Sequence, residues 1–70
     1  MERENERKRI GKRIEELRIA KGLTQEQLSL AAGLQRSHIL RIEQGRYNFQ
    51  LDTLAAIAEV LGKKIDFIEP

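Results

Sequence analysis

Apolar residues recur along this chain at intervals of three and four, and glycines interrupt the pattern. Ile10, Ile14 and Leu17 form one stripe of a helix whose other positions include Arg9, Lys12, Arg13, Glu15, Glu16 and Arg18. The stripe predicts a helix from about Asn5 to Ala20. Upstream of it, residues 1–8 carry no apolar face, and Glu4 with Lys8 is their well-oriented i,i+4 pair, so this extension is expected to fray. Thr24 is a good N-cap, and Gln27 three positions on completes a capping box, which starts a second helix over about Gln25 to Ala32 with Leu28, Ser29 and Ala32 facing inward.

Gly33 ends that helix, and Ile39 and Ile42 define the inner side of a third, about Arg36 to Gln44. Two helices joined by so short a turn must cross steeply. Leu34 is placed to fill the angle between them, and small Ser29 and Ala32 let the backbones approach, which makes the pair a helix-turn-helix. A loop, Arg46 to Gln50, precedes Leu51, Leu54, Ile57, Ala58 and Leu61, the stripe of a fourth helix with Asp52 in its first turn. From Lys63 the period changes. Ile65 and Phe67 alternate with Lys64, Asp66 and Ile68, the pattern of a short strand with no partner in the chain. Gly22, Gly33, Gly45 and Gly62 each stand where the backbone must leave a helix, whereas Gly11 falls inside the first pattern.

Seventy residues allow one domain with a thin core. Without Cys, and with His38 as the sole histidine, neither a disulfide nor a thiolate or imidazole metal site is available, which leaves helix packing or oligomerisation to stabilise the fold. The apolar runs are too short to span a bilayer and the amino terminus is charged rather than signal-like, so a cytoplasmic protein is expected. The net charge is only +2, but it is unevenly spread: residues 1–22 hold eight basic and five acidic side chains, residues 51–70 two and four. A positive front suits a polyanion. No nucleophile–base pair and no phosphate-cradling glycine loop is present, which argues against an enzyme, and no cofactor is called for.

The stretch Leu23-Thr24-Gln25-Glu26-Gln27-Leu28, then Ala32-Gly33-Leu34, Ile39 to Gly45, Leu51-Asp52-Thr53-Leu54 and Ala58 to Gly62 resembles the Cro/phage-repressor (Xre) family of helix-turn-helix proteins. The resemblance covers about Ile10 to Gly62 and is specific because all the pieces are in register. It implies an all-α, compact four-helix domain of the lambda-repressor type that dimerises on double-stranded DNA and regulates transcription. On this footing residues 1–8 are a charged helical extension, 9–62 the DNA-binding domain and 63–70 a dimerisation tail.

The family match implies that Arg36, Ser37 and Arg41 face base edges in the major groove, with His38 among them. Arg suits guanine O6 and N7, and Ser suits either base class. It further implies phosphate contacts from Thr24 and Gln25 at a helix N-terminus and from Arg46, Tyr47 and Asn48 in the loop, and a structural ion pair between Arg18 and Glu43. Four features depart from the family: Gln35 replaces the usual Ser or Thr cap, Phe49 stands at the usual Pro and is placed to pack inward, Leu30 and Leu40 fall at polar positions, and Lys64 to Ile68 looks like the carboxy-terminal strand of HipB-like antitoxins. That strand is expected to pair with its symmetry mate through Ile65, Phe67 and Ile68, giving a homodimer. The competing reading is a protein-interaction module that binds a partner such as a toxin through the tail or the Leu30/Leu40 surface. No small-molecule effector is indicated.

Overall fold

The computed structural model describes residues 3–70, so the first two positions of the expected extension lie outside the described residues. Four helices follow in order: α1, Arg3–Ala20; α2, Gln25–Ala32; α3, Arg36–Glu43; and α4, Leu51–Val60. α1 begins earlier than its apolar stripe. Charge pairs support its outer turns, among them Lys8 with Glu4 at 3.4 Å and Arg9 with Glu6 at 2.7 Å. The hydrogen bonds from Arg9 hold the Glu6 carboxyl below its ordinary pKa, although both groups remain in solvent.

Ile14, Leu28, Ile39, Ile42, Ile57 and Leu61 form the core, with Ile10, Leu17, Leu34, Leu54 and Phe49 packed partly buried around it. Each helix thus contributes the stripe that its sequence predicts, with one exception. Leu51 is 68% exposed. It is the first residue of α4, and a side chain there leans back toward the helix N-terminus, past the edge of the core. Buried Ser29 is satisfied within α2, its hydroxyl donating to the Glu26 carbonyl at 2.7 Å.

The turn between α2 and α3 closes as the sequence suggests. Gly33 adopts φ 72°, and the Leu34 amide reaches back to the Ser29 carbonyl at 2.8 Å, a Schellman closure that turns the chain within three residues. Gly11 serves a different purpose. It is buried where α1 crosses the end of α3, and a Cβ there would collide with the Ile42 carbonyl oxygen and lie 3.0 Å from that of Glu43. The crossing is backbone against backbone, which explains a glycine in mid-helix despite its propensity cost of about 1 kcal/mol.

Residues 63–70 take no regular secondary structure. The strand expected over Lys64 to Ile68 is therefore not formed in the single chain, since a strand needs a neighbour's backbone to complete its ladder. Asp66 accepts the Phe67 amide at 2.8 Å, which occupies one of the donors such a ladder would use. Phe67 and Ile68 are fully or nearly fully exposed.

Candidate nucleic-acid interface

α3 has two unlike sides. Ile39 and Ile42 are completely buried, while Arg36, Ser37, Leu40 and Arg41 all point into solvent. Burial of the first pair dictates exposure of the second set, because the residues lie on opposite sides of a helix with 3.6 residues per turn. Two guanidinium groups and a hydroxyl thus share one outer surface, with Leu40 between them as an apolar patch suited to a thymine methyl.

The orientation of α3 is fixed by a polar network at its far end. Arg18 at the end of α1 donates from Nε to Glu43 Oε2 at 2.7 Å and from Nη2 to Glu43 Oε1 at 3.1 Å, while its Nη1 donates to the Leu23 carbonyl at 2.8 Å. Gln25 Nε2 adds a third bond to Glu43 Oε1 at 3.1 Å. Glu43 is only 2% exposed and Arg18 12%, so both charges are desolvated yet fully paired. These hydrogen bonds push the Arg18 guanidinium up from its already high value. One carboxylate on α3 therefore ties down α1 and α2, while Arg18 fixes the loop between them. The expected ion pair is present, whereas the part played by Gln25 carries no signature in the spacing of residues.

α2 starts with the capping box its sequence encodes: Thr24 Oγ1 accepts the Gln27 amide at 3.0 Å, and Gln27 Oε1 accepts the Thr24 amide at 2.8 Å. The amides of Gln25 and Glu26 are left to solvent at the positive end of the helix dipole. Thr24, Gln25, Glu26, Arg18 and Arg36 line one shallow polar depression, so the start of α2 and the start of α3 open on the same side. Glu26 adds a carboxylate there, which opposes a phosphate at short range. Gln35 makes no side-chain cap on α3.

Arg46 and Asn48 are exposed in the loop after α3, whereas Tyr47 is half-buried against the core. Tyr47 holds His38 in an edge-to-face contact, ring centroids 4.7 Å apart and planes at 89°. His38 thus sits apart from Arg36, Ser37 and Arg41, the other residues expected to face bases. Its ring turns back toward the loop, and Nε2 is buried without a hydrogen-bond partner. The cause is its position four residues before buried Ile42, which puts it on the flank of α3 rather than its outer ridge. Among the described residues no group of His, Cys, Asp and Glu is placed to hold a metal, and no helix is long and apolar enough to cross a membrane.

A short α2, a tight glycine turn and an α3 with a buried inner side and a cationic outer side define a helix-turn-helix protein of the DNA-binding class. The chain belongs to the helix-turn-helix family of Cro/C1 type, whose profile matches residues 14–68. It is 44% identical over 59 residues to the immunity repressor protein of Bacillus phage phi105, covering 84% of this chain but only 41% of that repressor. It is 34% identical over 65 residues to the uncharacterized HTH-type transcriptional regulator y4dJ of Sinorhizobium fredii, covering 91% of this chain and 84% of y4dJ. Among solved structures it is similar to the restriction-modification controller protein C.AhdI of Aeromonas hydrophila, with a TM-score of 0.83 at 37% identity over 86% of this chain and 91% of that one. The clp gene regulator ClgR of Corynebacterium glutamicum superposes with a TM-score of 0.78 at 26% identity, over 81% of this chain and 61% of ClgR.

Proposed function

We propose that this chain is a sequence-specific DNA-binding transcriptional regulator that acts as a homodimer on an inverted-repeat operator. The observation that carries the reading is the outer side of α3, where Arg36, Ser37 and Arg41 are exposed together on a helix whose opposite side is locked into the core. Arg36 and Arg41 supply base readout, Ser37 a hydrogen bond to a neighbouring base, and the α2 amides with Arg46 and Asn48 the phosphate contacts that set register. A dimer spaces two such helices about 34 Å apart, one turn of DNA, and the bound dimer represses by excluding polymerase. The identity to a phage immunity repressor supports the repressor reading. Pairing of residues 65–68 with their symmetry mates would set Ile65 and Phe67 on one face of the ribbon and Ile68 on the other, and is the dimer contact proposed here; an antitoxin role would use the same tail.

Selection of bound sequences from random duplex DNA at stated salt tests the function. An enriched palindrome is the expected result. Absence of enrichment overturns specific reading and leaves the helix-turn-helix as a protein-binding scaffold, the reading that exposed Leu30 and Leu40 favour.

A further inference from the structure

The first turns of α1 run past the end of the recognition helix. A Cβ built on Gly45 would lie 2.7 Å from the Lys8 Cα and 3.0 Å from the Lys8 backbone nitrogen, so the two backbone segments meet with almost no side chain between them. Covalent geometry then puts the Cα atoms of Lys8 and Arg46 within about 8 Å of each other, because Arg46 is the next residue after Gly45. Both side chains are exposed.

The cations of α1 divide into two groups. Arg9, Lys12 and Arg13 are matched by Glu6, Glu15 and Glu16 one turn away. Lys8 has only a 3.4 Å contact with Glu4, both side chains being about 60% exposed, and such pairs are worth a few tenths of a kcal/mol. Arg7 has no ion-pair partner among the described residues. It stands four positions before Gly11, on the same stripe that meets α3. Arg3, a further turn back, likewise has no ion-pair partner among the described residues, so the uncommitted charge of α1 gathers in its first turns, where Lys8 lies beside the α3–α4 loop.

We propose that Lys8 and Arg7 form a second phosphate-binding element which, with Arg46, grips the DNA backbone beside the bases that α3 reads. Phosphates along one strand advance about 3.4 Å along the helix axis each. Long, flexible side chains whose Cα atoms lie within about 8 Å (Lys8 and Arg46) and about 12 Å (Arg7 and Arg46) of one another can therefore take neighbouring phosphates. The inference rests on the DNA-binding reading above. A purely structural role for the two cations, at the negative end of the α3 dipole, would act on stability instead.

The test compares the full chain with Lys8→Gln, Arg7→Gln and the double variant, using Lys12→Gln as control and Lys8→Arg as the charge-preserving variant. The probes are a random-sequence duplex pool and the duplex enriched from it, titrated between about 50 and 200 mM salt. The expected result is a salt slope lower by about one in each single variant and about two in the double, with affinity falling by the same factor on both probes. Lys12→Gln and Lys8→Arg keep the wild-type slope. Unchanged slopes in Lys8→Gln and Arg7→Gln, whether or not their melting temperatures fall, overturn the proposal while leaving the DNA-binding reading intact. A wild-type chain that binds neither probe overturns both.

Discussion

Arg18 and Glu43, 25 positions apart in sequence, meet side-on through two hydrogen bonds of 2.7 and 3.1 Å. Both are desolvated, so removing one strands the other. Glu43→Ala should cost about 3–5 kcal/mol, read as a lower urea midpoint, whereas the paired replacement Arg18→Met with Glu43→Leu should recover most of it. Arg18→Lys should behave like a loss, because an ammonium cannot serve two carboxylate oxygens and the Leu23 carbonyl as a planar fork does. Single-variant losses below about 1 kcal/mol would show that the pair is hydrated in solution.

Gly11→Ala sets two effects against each other. Alanine gains about 1 kcal/mol of helix propensity, but its methyl meets the Ile42 carbonyl, a backbone atom that cannot move aside without shifting α3. Overpacking of this kind costs about 1–3 kcal/mol. A lower melting temperature is expected, with weaker DNA binding. A rise in melting temperature would mean that the crossing is looser than described.

The two kinds of arginine at the interface should fail differently. Arg36→Ala is expected to cost about 1–3 kcal/mol and to relax discrimination at one base pair. Arg46→Ala should weaken all sequences alike and reduce the salt slope by about one. Titrations of matched and mismatched duplexes at several salt concentrations separate the two, and uniform losses for Arg36→Ala would refute direct readout.

His38→Phe keeps an aromatic ring against Tyr47 and removes a buried nitrogen that has no partner. Stability should hold or rise, since an unsatisfied buried polar atom costs about 1–3 kcal/mol. The selected DNA sequence should be unchanged. A shifted base preference in this variant would return His38 to the reading surface.

The helix-turn-helix was legible because local chemistry and tertiary packing agree there. The Thr24/Gln27 box, Gly33 and the Ile39/Ile42 spacing each specify a feature that the fold uses unaltered. Three features escaped the sequence for physical reasons. Gly11 is explained only by a neighbour 31 positions away, the Ile42 carbonyl. Gln25 donates one of its amide hydrogens to Glu43, a contact that depends on the angle between α2 and α3. The inward turn of His38 depends on where the loop puts Tyr47. Periodicity also assigned Leu51 to the core, because a stripe does not show where a helix outruns the elements packed against it.

The tail offers a direct test of the proposed dimer. Burying an apolar side chain such as Phe67 is worth about 1.5–3 kcal/mol. Phe67→Ser with Ile68→Ser, or deletion of residues 64–70, should lower the mass measured by light scattering from dimer to monomer and weaken operator binding. An unchanged mass would move the dimer contact elsewhere.

The groups that anchor α3 lie on its concealed half, Ile39, Ile42 and the Glu43 carboxylate, and on its flank, where His38 meets Tyr47. The opposite half is consequently free of any duty to the scaffold. Positions 36, 37, 40 and 41 can be rewritten together, like the characters of an address, and the same frame would deliver a new set of side chains to a different stretch of genome at the same angle and depth.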